Sequence, residues 1–249
     1  MRCLFLIFST IACLSTTSAL AEVRIVASIK PLQLIAAAVQ DGVGTLEVLL
    51  PPGASPHHFT LRPSDIRKVR DADLLYWIGP DLEAFMPKVL EGRNAPSLAV
   101  QHIEGLYLRR FGDEHRHDEH ADEHANESQS DGDVEGAHDE LHRPGTLDAH
   151  LWLAPDNARL IAKRMADDLS TADPSNARRY DANLAAFNER LSNQDDQLKA
   201  RLKPLAGKPF FVFHEAFDYF EEAYGLKHAG VFAVSADAPP RRQDGGQYA

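Results

Sequence analysis

From Val23 onward, short apolar strands take turns with amphipathic helices, and this alternation limits the possible folds more than any other feature of the chain. Val23 to Ser28 alternates in the β manner, Pro31 opens an apolar-periodic helix to about Gln40, and Leu46 to Leu50 reads as a second, buried strand. The stiff loop Pro51-Pro52-Gly53-Ala54-Ser55-Pro56 leads to His57 and His58, and Pro63-Ser64-Asp65 starts a helix to about Ala72. Leu74 to Ile78 is a third strand, Gly79-Pro80 a turn, Asp81 to Leu90 a helix and Ser97 to Gln101 a fourth strand. Strands linked through helices predict an α/β fold with a parallel sheet covered on both faces. Ligands of such sheets bind beyond the carboxyl ends of the strands, where His57 falls.

The pattern stops at Gly112. Residues 112–143 hold twelve Asp and Glu against Arg116 and Arg143, together with six of the chain's twelve histidines. Nearly the whole formal charge of -11 therefore sits in this one segment. With so few apolar residues it cannot bury enough surface to offset its ordering entropy, so it is expected to be a disordered loop. The remaining chain is close to neutral and shows no cluster of Lys and Arg, which argues against a nucleic-acid partner. The acidic, histidine-rich loop points instead to a cation.

Order resumes at Leu147, with His150 ahead of the apolar run Leu151-Trp152-Leu153, read as strand leading to helix, and a helix from Pro155 to about Leu169. Pro174 begins the longest helix. Tyr180, Leu184, Phe187, Leu191, Leu198 and Leu202 make one apolar stripe along it. Its roughly 30 residues span about 45 Å, a length suited to a rigid connector. The β pattern then returns: Pro209 to Phe213 is a strand with His214 at its carboxyl end, Ala216 to Tyr224 a helix and Gly230 to Val234 a strand. Pro239 onward has neither period nor apolar content, so the second lobe is expected to be incomplete, as if truncated or frameshifted there. The expected organisation is a first lobe over 22–111 and 144–173, the loop over 112–143, a connecting helix over 174–204 and a partial second lobe over 205–249.

At the N-terminus, Arg2 precedes the apolar run Cys3 to Leu14, and Ala19-Leu20-Ala21 offers the small residues that a signal peptidase reads. A signal peptide over 1–21, cleaved near Ala21, predicts a periplasmic protein. The run is short for a membrane span. Two other readings are lipidation at Cys13, from the faint box Thr10-Ile11-Ala12-Cys13, and a buried N-terminal helix. Both cysteines, Cys3 and Cys13, lie in the segment to be removed, so the mature chain has no thiol for a disulfide, a nucleophile or a thiolate metal site.

Any metal must then be held by imidazole and carboxylate. His57, His150 and His214 occupy comparable places, beyond or just ahead of apolar segments, and three imidazoles with one oxygen ligand suit Zn²⁺. Spacing alone does not bring them together, and each taken singly reads as a hydrogen-bonded strand-end histidine. His102 and His228 read as surface or strand-end residues. Asp65 reads as an early-helix charge, and the pairs Asp167-Asp168 and Glu221-Glu222 as solvated helix faces.

Three stretches carry a resemblance: Gly53 to Asp65 (GASPHHFTLRPSD), Asp148 to Pro155 (DAHLWLAP) and Phe211 to Phe217 (FVFHEAF). They resemble, in the correct order, signature segments of the metal-binding proteins of ABC importers, and within them the ZnuA-like zinc-binding proteins. The resemblance runs from about Ala21 to Pro239. It implies two lobes joined by a long helix, one Zn²⁺ held between them by His57, His150 and His214, and delivery of that ion to an ABC permease by a monomer that is not an enzyme. It also implies auxiliary zinc capture by His115, His117, His120, His124, His138 and His142. Some zinc members carry Glu just before the first histidine where this chain has Pro56, and others a carboxylate late in the second lobe, so the fourth ligand stays open between water, Glu215 and an acid beyond the chain. His58, beside a ligand in an extended loop, is expected to support that site or face solvent.

Two other functions remain at this stage. A zinc-dependent hydrolase needs three histidines and a base, for which Glu215 is the obvious candidate, although no H-E-x-x-H helix occurs. A surface adhesin or zinc buffer would act through the loop alone.

Overall fold

The computed structural model describes residues 22–57, 59–112 and 145–232. The expected signal peptide, His58, all six loop histidines and the segment after Phe232 lie outside the described residues.

Four strands form the larger sheet: β1 (Arg24–Ala27), β2 (Thr45–Val48), β3 (Leu74–Trp77) and β4 (Ser97–Ala99). All three pairings are parallel and the order is β2-β1-β3-β4. β3 is paired on both sides and all four of its residues are buried. That is what a strand covered on both faces requires, and it explains the unbroken apolar run Leu-Leu-Tyr-Trp. α1 (Lys30–Gln40) and α4 (Pro155–Ala172) pack against one another. On α4 the buried apolar positions are Ala158, Ile161, Ala162, Met165, Ala166 and Leu169, recurring at helical spacing. α2 (Pro63–Asp71) has Pro63 in its first turn, the Asp65 carboxylate accepting the Arg62 N–H at 2.9 Å and Arg93 donating to the carbonyls of Val69, Arg70 and Ala72 at its far end.

Two expected elements are corrected. The helix read over Asp81 to Leu90 is only α3 (Met86–Leu90). Pro87 inside the longer helix would clash with the carbonyl of Glu83 and remove a donor, so the helix starts where Pro87 falls in its first turn. The Leu151-Trp152-Leu153 run, read as strand leading to helix, is a short 3-10 turn before α4. With no neighbouring strand to pair among the described residues, the segment satisfies its backbone locally, Leu153 N–H donating to the His150 carbonyl at 3.1 Å.

α5 (Ala177–Leu202) follows a 3-10 turn at Pro174–Asn176 and lies along α1 and α4. Tyr180 is its one buried residue, while Leu184, Phe187 and Leu191 pack partly against the core. It docks onto the end of α1 through Asn183 Nδ2 to the Val39 carbonyl at 2.9 Å and Arg179 Nε to the Asp41 carbonyl at 3.1 Å. These contacts take up carbonyls that the end of α1 leaves without helical partners. Beyond α5 a second, two-stranded parallel sheet pairs β5 (Phe211–Val212) with β6 (Gly230–Val231), linked by α6 (Asp218–Tyr224). Gly225, at φ 64°, ends α6 in the left-handed conformation, and Leu226 N–H closes the turn on the Glu221 carbonyl at 2.8 Å. Among the described residues no helix is long and apolar enough to cross a membrane.

Candidate metal centre

Three segments far apart in sequence supply the centre. His57 ends the loop that leaves β2 at its carboxyl end, and it is 7% exposed. His150 immediately precedes the 3-10 turn that leads into α4, and it is 5% exposed. His214 follows β5 and is half-buried. Their ring centroids are 5.9 Å (His57 to His150), 5.8 Å (His57 to His214) and 5.2 Å (His150 to His214) apart. One ring nitrogen from each lies within 4.8 Å of the other two. Tetrahedral zinc ligands at about 2.0–2.1 Å stand about 3.3 Å from one another, so small ring rotations bring three nitrogens onto one ion. The donor set is wholly nitrogen at this stage, borderline-soft and free of charge when the rings are neutral, which suits Zn²⁺ better than the oxygen-preferring Mg²⁺ or Mn²⁺.

The His150 ring has a clear orienting partner. Asp148, buried two residues earlier, accepts both the His150 N–H at 3.0 Å and the Nδ1–H at 2.7 Å on the same Oδ1. A carboxylate can only accept, so Nδ1 carries the proton and Nε2 keeps its lone pair for a metal. The segment bearing Asp148 is pinned in turn. Asp148 N–H donates to the Arg109 carbonyl at 3.0 Å, Phe111 N–H to Thr146 at 3.0 Å and Gly145 N–H to Phe111 at 2.7 Å, an antiparallel neck that joins the two ends of 113–144. Asn157, from α4, ties the same region together by donating Nδ2–H to the carbonyls of Leu151 at 3.0 Å and Tyr107 at 2.8 Å.

Glu215 is half-buried and does not join the three-histidine group. His102 is exposed, and His228 is half-buried just before β6, both in keeping with their sequence reading. Asp167 pairs with Lys163 on the exposed side of α4, as expected, whereas Asp168, paired with Arg164, is only 22% exposed and lies near the buried Tyr76.

The Glu221-Glu222 pair is a correction. Glu221 is 3% exposed and accepts from His228 twice, from N–H at 3.0 Å and from Nδ1–H at 2.9 Å. Glu222 remains exposed, as expected, but it also receives the Tyr107 hydroxyl at 2.8 Å and the Arg109 guanidinium of the first lobe. A helix seven residues long on a small sheet has its polar side turned toward a neighbour, which periodicity within the helix does not reveal. Asp218, Glu221 and His228 also bring three ligand atoms within 4.8 Å of one another. Here the imidazole is already hydrogen-bonded to Glu221 at 2.9 Å, and Arg109 stands 3.7 Å from Asp218. Burial, then the nearby Asp148 charge, raises the Asp218 carboxyl against the opposing pull of Arg109.

Sequence reasoning also missed Glu83, fully buried at the carboxyl edge of β1 and β3. It accepts from the Ser28 hydroxyl and from the backbone N–H groups of Gly79 at 3.0 Å and Ile78 at 3.4 Å. Burial pushes its carboxyl up to about 7, with those hydrogen bonds pulling the other way. Its only sequence signal was an acidic residue between Leu82 and Met86, both of which are buried.

Residues 25–247 match the family described as "Zinc-uptake complex component A periplasmic". The high-affinity zinc uptake system protein ZnuA of Yersinia pestis is 38% identical over 228 residues, which are 90% of this chain and 70% of that protein. The protein of the same name from Brucella abortus (strain 2308) is 36% identical over 230 residues, covering 87% of this chain and 69% of that protein. Among solved structures, a zinc-bound ZnuA deletion mutant superposes with a TM-score of 0.67 at 24% identity, covering 87% of this chain and 73% of that one. AdcAII of Streptococcus pneumoniae gives a TM-score of 0.65 at 21% identity, covering 88% and 72%. At those identities the two structures speak for the fold, which is the parallel α/β arrangement described above.

Proposed function

The chain belongs to the periplasmic zinc-uptake component A family, and from that premise we propose that it captures one Zn²⁺ between its two lobes and passes it to the membrane permease of an ABC importer. His57, His150 and His214 are the ligands, with water or a carboxylate from outside the group completing the tetrahedron. The observation that carries this reading is the meeting of three imidazoles from three distant segments within 4.8 Å. Asp148 fixes the His150 tautomer, and the burial of His57 and His150 keeps competing water away. Zinc here is cargo: it enters, is held and leaves, and no bond of a substrate has to be broken. The names of the relatives describe uptake, which favours this reading over a hydrolase.

Isothermal titration with Zn²⁺ tests the proposal. The native protein binds one ion tightly, and His57→Ala, His150→Ala and His214→Ala each weaken that site by more than the roughly 100-fold typical of losing an outer-sphere partner. Undiminished binding in all three variants would overturn it. Because each imidazole must be neutral to coordinate, affinity falls as the pH is lowered from 7.5 to 5.5. Zinc-loaded protein lacking esterase and peptidase turnover removes the hydrolase reading.

Four finer points belong to the same proposal. The chain divides into a first lobe over 22–111 and 144–173, a connecting helix over 174–204 and a second lobe over 205–249. The exported protein loses residues 1–21, so the mature N-terminus reads Glu22. It works as a monomer with no nucleic-acid partner. The histidines of 112–143 collect zinc near the cleft, since the neck that carries this segment runs directly into Asp148 and His150. Deleting 112–143 leaves the tight site intact, and loss of that site on deletion favours the loop-only reading.

A further inference from the structure

We propose that Tyr219 is a positioning residue that sets the separation of His150 and His214, by clasping the second lobe to the backbone that carries the first lobe's ligand. The inference rests on the three-histidine reading above and concerns what holds those histidines in place.

Tyr219 stands on α6, and the chain from His214 to this helix is short. Its ring is 1% exposed, and among the described residues it is the one side chain of 205–232 that belongs to the first lobe's buried core. It meets the Tyr107 ring edge-on, with centroids 6.0 Å apart. The phenol makes two buried hydrogen bonds, both to the first lobe. It accepts the Arg109 N–H at 2.8 Å and donates to the Asp148 carbonyl at 3.0 Å. These are neighbouring backbone groups of the antiparallel neck, where Asp148 N–H also reaches the Arg109 carbonyl. Asp148 is the residue whose side chain holds the His150 ring. One hydroxyl thus joins the backbone that presents His150 to the helix that follows His214.

The surrounding contacts have a different task. Glu222 receives Tyr107 and Arg109 side chains at a more exposed position, and Arg109 lies near Asp218. These ion pairs join the lobes without touching the Asp148 carbonyl. Tyr219 alone bonds to that residue from α6, and a phenylalanine there would keep the packing while leaving a buried donor and a buried acceptor unmet.

The test is Tyr219→Phe in the full chain, with Tyr224→Phe as a control, since Tyr224 gives its hydroxyl to Asp195 on α5. Zinc affinity of Tyr219→Phe falls roughly 10- to 100-fold, as for outer partners of metal ligands. The Co²⁺-loaded variant loses d–d absorption intensity as the site leaves four-coordination. Tyr224→Phe keeps the native affinity and the native Co²⁺ spectrum. Coupling is reciprocal, so in the unmodified protein zinc slows hydrogen exchange at the Arg109 amide, a measurement that holds even if Tyr219→Phe does not fold. Native affinity and an unchanged Co²⁺ spectrum in Tyr219→Phe, or Arg109 exchange indifferent to zinc, overturns the positioning role. Those results leave the zinc site standing, because that reading fails only if the histidine variants keep binding.

Discussion

β3 is paired on both sides with every residue buried, whereas β5 has a single neighbour among the described residues and leaves Phe211 58% exposed. On the same small sheet Phe232 is 69% exposed, and Phe213, beside His214, is 49% exposed. Two of the three clustered histidines therefore come from a lobe with a dense core, and the third from a lobe whose described residues hold little core of their own. A ligand is only as well placed as the backbone beneath it. His57 and His150 stand at the edge of the large sheet and just before α4, while His214 stands between β5 and α6, whose Tyr219 reaches the first lobe.

The largest test of this contrast is Leu75→Ala. Leu75 is 1% exposed in the middle of β3, and its truncation should lower the unfolding free energy by about 2–5 kcal/mol in a denaturant titration. Next comes Glu83, whose carboxyl is raised from 4.5 to about 7. Over that range the folded protein keeps a proton that the unfolded chain has lost, so stability falls as the pH rises from about 4.5 to about 7. The full swing is about 3 kcal/mol. Glu83→Gln cannot titrate and should flatten that part of the stability-pH curve; a persisting slope would place its origin elsewhere.

Asp148→Asn removes the charge that orders His150 and should weaken zinc binding about 10- to 100-fold while leaving the melting temperature of the metal-free protein close to native. The smallest effect is expected on the second sheet. Phe232→Ser changes a side chain that is mostly in water and should shift stability by no more than about 0.5 kcal/mol. If it costs as much as Leu75→Ala, the small sheet has a core of its own and the comparison breaks.

The larger sheet was legible because β1 and β3 are largely apolar and its helices repeat at a helical spacing; all four strands and α1, α2, α4 and α5 were read near their observed places, although β2, read as buried, alternates exposed and half-buried residues at the sheet edge. Pro87 should have shortened the third helix, since proline acts through one local clash that a count of apolar positions overlooks. The three histidines were legible through the stretches around them, not through their spacing. Asp148, Tyr219, Glu221 and Glu83 were not. Each does its work by bonding to a partner that the fold brings near, and in the sequence they look like an ordinary acid before a histidine, a helix aromatic and two helix carboxylates.

α5 is held at its beginning, where Tyr180 is buried and Arg179 and Asn183 grip the end of α1, and it reaches 26 residues before the 3-10 turn at Lys203–Leu205. An unbroken helix of that length behaves as a stiff rod. The rod therefore carries no bend between the core it leaves and the 3-10 turn at its far end, and the first break in the helical path comes at Pro204 and Gly207.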